Sequence, residues 1–320
     1  MNIRKTLCGL ISGLLLLAAG TAQTHAGLHV PAAPGANLYV SNYLNSTIDN
    51  FTPDGVATVF ASTGPSNPWG LAFDSTGNLF VANVGNNTIE QFTPGGTSSV
   101  FANGVGDGVV SPRGLAFDSA GNLYAANLDN TIEKFTPGGA GSVFASTGLS
   151  NPYGLAFDSA GNLYAANNLS NTIEKFTPGG TGSVFASTGL DHPFGLAFDS
   201  AGNLYAANNF ANAIEKFSST GTDLGVFVDS SSGLSAPTGL AFDSAGNLFV
   251  ADSNHSTIRE FSSSGTDLGI FADGSNNVVY FPTSLAFGPV PVPEPSSLTL
   301  LLMGLAGMGI VARRKKYRRA

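Results

Sequence analysis

The stretch NPYGLAFDSAGNLYAAN, residues 151–167, decides the fold, because near copies of it recur along the chain. Its proline returns at Pro68, Pro112, Pro152, Pro193, Pro237 and Pro282, at spacings of 44, 40, 41, 44 and 45 residues. That period fits one four-stranded propeller blade and is too long for a leucine-rich repeat. Within the copy, residues 154–158 read as a first strand and 162–167 as a second. Between them DSAGN makes a tight turn, with Asp158 able to hold the backbone and Gly161 free to take positive φ. Residues 172–176 read as a third strand, ended by TPGG at 177–180, and 183–186 as a fourth. Short strands between evenly spaced turn residues, with no helical period, make the chain all-β.

Counting gives the blade number. Second strands begin at Asn37, Asn78, Asn122, Asn162, Asn203 and Asn247, so six blades are expected. The last first strand, at 284–287, has no strands after it, and the first copy, from Asn37, lacks a first strand. The C-terminal strand should therefore complete the N-terminal blade and close a six-bladed β-propeller over residues 37–288. Phenylalanines recur once in strand one (Phe73, Phe157, Phe287), once in strand three (Phe51, Phe135, Phe176) and once in strand four (Phe60, Phe144, Phe185), with equivalents in the other blades. They take 18 of the 23 phenylalanines and are expected to pack between blades. At about 1.5–3 kcal/mol each they supply gross burial to set against chain entropy.

The two ends have a different character. Arg4 and Lys5 precede an apolar run at 7–19, and Thr24-His25-Ala26 offers small residues for cleavage after Ala26, the grammar of a secretory signal peptide at 1–26. Cys8, the only cysteine, lies inside it, so the mature protein has no disulfide, zinc–thiolate site or thiol nucleophile. At the other end, residues 289–320 hold a proline-rich linker, an apolar segment at 298–312 and a basic cluster from Arg313 to Arg319. That cluster places its end in the cytoplasm. Val292, Pro293, Glu294 and Pro295, then the apolar segment, then the basic cluster, closely resemble PEP-CTERM sorting domains. The resemblance implies export across the inner membrane of a Gram-negative bacterium and a transient C-terminal membrane anchor. It also implies an exosortase as partner, cutting near Pro-Glu-Pro, and delivery to the cell surface or extracellular polysaccharide matrix.

Without the signal segment and the basic tail, five basic residues (Arg113, Lys134, Lys175, Lys216, Arg259) face all 21 acidic ones, Glu294 of the linker included, a net charge of −16. Such a body repels phosphate backbones, so nucleic acid is not an expected partner, and cations are favoured.

The repeat PTGLAFDSAGNLFVAD at 237–252, followed by Thr257, Ile258 and Phe261, resembles NHL repeats and the six-bladed propellers of the gluconolactonase-like group. The resemblance covers essentially residues 37–287. The chain departs from that pattern where Asn42, Asn83, Asn127, Asn167 and Asn208 replace the usual acid, kept only at Asp252. The usual Arg-Ile of strand three is Thr-Ile or Ala-Ile here.

Positions where the copies differ are the candidates for function. Between the proline and glycine of strand one stand Trp69, Arg113, Tyr153, Phe194, Thr238 and Thr283. The first four are expected to crown one side of the channel, either as a contact surface for polysaccharide, peptide or a surface protein, or as a cover for the core beneath. Asp252, Asn42, Asn83, Asn127, Asn167 and Asn208 offer oxygen ligands for calcium, or else cap hairpin loops through side-chain hydrogen bonds. His192 and His255, on separate loops, do not form a zinc site. Glu90, Glu133, Glu174 and Glu215, beside Lys134, Lys175 and Lys216, read as surface charge. The sequence places no general base or nucleophile. It therefore points to a non-enzymatic binding or structural module without a cofactor other than calcium. The resemblance implies as alternative a metal-dependent, lactonase-like hydrolase at the channel.

Overall fold

Each repeat forms one antiparallel four-stranded sheet, and six sheets make up the computed structural model, which describes residues 35–274 and 279–289. The signal segment at 1–26 and the sorting motif and tail from residue 290 onward lie outside the described residues. Blade two spans residues 68–103, blade three 115–145, blade four 152–186, blade five 193–228 and blade six 237–273. In blade four the strands are Pro152–Phe157, Leu163–Asn167, Thr172–Phe176 and Gly182–Ala186. The turn after the first strand forms as its residues dictate. Asp158 Oδ1 accepts the N–H groups of Ala160 (2.9 Å) and Asn162 (2.8 Å), while Gly161 sits at φ +82°.

Blade one is closed by the far end of the chain. Pro282–Phe287 pairs antiparallel with Leu38–Asn42, Leu38 opposite Phe287, and the sheet continues through Thr47–Phe51 to Ala57–Ala61. The expected closure is therefore the observed one. Both ends of the propeller leave from the same edge of this sheet, where Gly288 N–H donates to the Asn37 carbonyl (2.9 Å). In the other blades that edge carries the Asp turns. The opposite edge, at Pro282 and Asn42, faces the channel mouth.

Three devices hold the blades in a ring. The innermost is steric. A Cβ at Gly154 would lie 3.0 Å from Leu196 N and 3.1 Å from Gly195 Cα, and closer still to the Phe194 carbonyl oxygen. Gly70, Gly114, Gly195 and Gly239 meet the next inner strand in the same way. The glycine of the repeat is thus set by contact between neighbouring backbones, with Ser284 as the one exception.

The second device is a clasp. The residue before every inner-strand proline is left-handed, from φ 43° at Ser111 to 54° at Ala236. Its N–H is held by a side chain on the preceding blade. Asn151 N–H donates to Asn130 Oδ1 (2.6 Å), His192 N–H to Asn171 Oδ1 (2.8 Å) and Ala236 N–H to Asn212 Oδ1 (2.8 Å). Across the closure Phe281 N–H donates to Ser256 Oγ (3.2 Å). The third device is aromatic. Tyr124 meets Phe144 of its own blade and Phe157 of the next edge-on, at 4.9 and 5.0 Å, and Phe249, Phe271 and Phe287 repeat the motif at the closure.

The third-strand glutamates correct the sequence reading. Glu90, Glu133, Glu174 and Glu215 are buried, 4–7% exposed, beneath the loops that feed their blades. The lysines beside them instead pair with turn aspartates, Lys134 with Asp118 at 3.7 Å and Lys175 with Asp158 at 3.8 Å, and lie over Tyr124 and Tyr164. On a strand, neighbours point to opposite faces, so adjacent Glu and Lys never shared a surface. Burial pushes the carboxyls of Glu133 and Glu174 up. Asp49, the equivalent in blade one, is pushed up to about 7 by burial, against a hydrogen bond from Asn42. Glu215 also reaches about 7, through burial and then through its hydrogen bond with the Asp223 carboxyl. Blade six resolves the same juncture with opposite charges, Arg259 against Asp267.

These shifts set a pH dependence. Unfolded, the carboxyls ionise near ~4, whereas folded Asp49 and Glu215 hold their protons to about 7. Their contribution is complete below the unfolded value and is lost as pH rises through 7. At Asp74, Asp118, Asp158 and Asp199 burial opposes ionisation, but hydrogen bonds from the turn outweigh it and hold these carboxyls low. Their contribution is present above the ordinary carboxylate range and is lost as pH falls through their lowered values. Thermal melts should therefore show a higher Tm at pH 5 than at pH 8, and Glu215→Gln should flatten that difference. An unchanged slope in the variant would reject the assignment.

Candidate functional site

The mouth of the channel is built by the residue after each inner-strand proline. Trp69, Arg113, Tyr153 and Phe194, from four consecutive blades, collapse onto one another. Tyr153 and Phe194 have ring centroids 4.2 Å apart, Trp69 lies 5.3 Å from Tyr153 and 6.0 Å from Phe194, and Tyr43 adds an edge to Trp69 at 5.5 Å. The Arg113 guanidinium sits over both Trp69 (4.8 Å) and Tyr153 (4.3 Å). This cluster caps the shaft. Below it the inner-strand glycines and leucines leave only about 100 Å³.

Blades six and one break the pattern with threonine. Thr238 Oγ1 donates to the Pro282 carbonyl (2.9 Å) and Thr283 Oγ1 to the Pro68 carbonyl (3.0 Å), so both hydroxyls turn inward to tie inner strands together. Beside Thr238 the mouth opens into a groove of about 510 Å³. Trp69, Phe194, Phe210 and Phe281 supply its aromatic surface, and Asn209, Asn212, Ser235, Ser253 and Asn254 much of its polar surface. Among the described residues, no ionisable side chain lines it. Phe210 is 65% exposed, and His192 stacks on it at 3.9 Å and 18°.

The six residues at the ends of the second strands are placed one to a blade and are 0–2% exposed. Each Oδ1 accepts an N–H from the loop feeding its own blade. The donors are Tyr280 to Asn42 (3.0 Å), Ser66 to Asn83 (3.0 Å) and Val110 to Asn127 (3.2 Å). Likewise Ser150 donates to Asn167 (3.1 Å), Asp191 to Asn208 (3.1 Å) and Ser235 to Asp252 (3.0 Å). The amides of Asn127, Asn167 and Asn208 donate onward to the carbonyls of Gly108 (2.8 Å), Gly148 (2.8 Å) and Gly189 (2.6 Å). Asp252 Oδ2 lies 3.0 Å from His255 Nδ1. These contacts staple loops to blades, and a set so divided does not fit a single calcium ion. Among the described residues, no three His, Cys, Asp or Glu side chains gather into a metal-binding group.

The architecture defines the class, a six-bladed β-propeller with an aromatic-capped channel. Within the chain, NHL repeats match at residues 66–92 and 234–261, the first three strands of blades two and six. A PEP-CTERM protein-sorting motif matches at 291–316. Among solved structures the chain is similar to a chain of a nidogen/laminin complex, with 20% identity and a TM-score of 0.69 over 81% of this chain and 100% of that one. A streptogramin B lyase aligns at 17% identity and TM-score 0.61, over 81% and 89% of the two chains. A protein assigned to the gluconolactonases aligns at 18% and 0.57, over 68% and 79%. These likenesses concern the fold. No curated protein matches the chain in sequence.

Sequence reasoning missed Phe210, Phe281 and the groove between them. Phe210 stands where other blades have Leu44, Leu169 or Asn254, so comparing hairpin tips would have singled it out.

Proposed function

We propose that this protein is an exported binding propeller, carried to the cell surface or its polysaccharide matrix by the PEP-CTERM motif, with the channel mouth as its contact face. The observation that supports this most is the break in the repeat at the mouth. Large side chains from four blades close the shaft, while Thr238 leaves an aromatic-walled groove open beside it. At that rim Phe210 sets an aromatic ring, 65% exposed, where the equivalent tips carry Leu44 and Leu169, 55% and 66% exposed.

A shaft of about 100 Å³ beneath a capped mouth has no room for a substrate, which disfavours a lactonase-like reaction in the channel. Trp69→Ala and Tyr153→Ala should each weaken co-sedimentation of the protein with the producing cell's insoluble matrix by about tenfold, the scale of a buried aromatic anchor. Wild-type retention by both variants, with their melting curves unchanged, would remove the mouth from consideration.

A further inference from the structure

We infer that the groove between blades five and six takes an uncharged glycan, with Phe210 and Trp69 as stacking platforms; this rests on the mouth being the binding face. Three observations carry it.

The first is the chemistry of the walls. Sugar rings present apolar C–H faces and a rim of hydroxyls, so they require flat aromatic surface next to short amide and hydroxyl groups. The groove combines four aromatic rings with asparagine, serine and threonine side chains. Asn212 Oδ1 accepts the Ala236 N–H (2.8 Å) and Asn254 Nδ2 donates to Ser235 Oγ (3.2 Å). Each amide is thereby fixed through one atom, and the other has no partner among the described residues.

The second is how Phe210 is held. His192, outside the groove lining, backs one face of the ring at 3.9 Å, with its own Nδ1 3.0 Å from Asp191 Oδ1. A supported ring that is 65% exposed is a platform kept upright in water. Leucine occupies the equivalent tips at Leu44 and Leu169, so nothing in the hairpin itself demands an aromatic.

The third is charge. No ionisable side chain lines the groove among the described residues, and the nearby cation, Arg113, is enclosed between Trp69 and Tyr153. The propeller around it carries five basic residues against 20 acidic ones, all of the chain's 21 but Glu294. A polyuronate or a phosphorylated polymer would meet repulsion without a counter-charge at the seat. An open groove of about 510 Å³ suits a few residues of a polymer passing across the mouth.

Trp69 is the sole tryptophan of the chain and stands in the groove wall, so its emission reports occupancy. The exported protein, tail intact in mild detergent, would be titrated with cellohexaose, maltohexaose and an alginate hexamer. The expected result is a saturable change with at least one neutral hexasaccharide, insensitive to salt and weakened by about tenfold in Phe210→Leu. That variant copies blade four and keeps the hairpin. Silence with both neutral sugars, together with salt-sensitive binding of alginate, would overturn the ligand class and leave the mouth as the binding face. Matrix co-sedimentation unaffected by both Trp69→Ala and Phe210→Leu would overturn the mouth itself and the glycan seat with it.

Discussion

Gly154→Ala is expected to destabilise the propeller by about 3 kcal/mol or more, far beyond an ordinary glycine substitution in a strand. The backbone conformation at Gly154 is not left-handed, so alanine meets no torsional obstacle and the effect is purely steric. Its Cβ would be driven into the backbone of blade five, 3.0 Å from Leu196 N and 3.1 Å from Gly195 Cα. Backbone cannot swing aside as a flexible side chain does. Relief would require two inner strands to separate, and the other blades stand in the way. Gly179→Ala is the control, since there the nearest atom is Thr177 Oγ1 at 3.9 Å and no positive φ is involved. Denaturant midpoints should separate the two variants widely. Equal midpoints would mean that the inner ring is looser than its geometry.

Ending the chain at Phe281 should have the larger effect, replacing a cooperative melt by a broad transition or none. The lost strand, Pro282–Phe287, supplies one whole strand of blade one. It also buries Leu285 in the cluster of Leu38, Phe249 and Phe271, and Phe287 against Phe249 at 5.3 Å. Thr283 and Ser284 go with it, and with them the hydroxyl seam formed with Ser41, which is fully buried. Blades six and two would then face an unfilled gap, and an open ring exposes edges that its neighbours were built to cover. A fragment ending at Pro289 should melt like the full chain. If the shorter fragment did so too, the closing strand would be an ornament.

How far the sequence could be read follows from what each residue answers to. The DSAGN turn and the strand limits depend on neighbours in the chain, so Asp158 and Gly161 took the roles their types suggested. Closure was legible by counting, because a first strand without successors and a first copy without a first strand need each other. The glutamates were misread because their surroundings are made by loops that feed each blade, as with Gly148 over Glu174, and sequence spacing says nothing of that contact. The mouth residues were legible as exceptions to the repeat. Their mutual stacking and the neighbouring groove were not, since these depend on angles between blades.

The position of the closing strand also bears on the order of events during export. A chain crossing a membrane from its N-terminus delivers blades two to six complete while blade one still lacks its inner strand. The missing piece is Pro282–Phe287, and the sorting motif matches from residue 291, only a few residues further on. The ring is thus sealed last, by the segment that emerges just ahead of the apolar anchor. The sorting motif therefore falls outside the closed ring, whose last strand ends at the edge of blade one opposite the channel mouth.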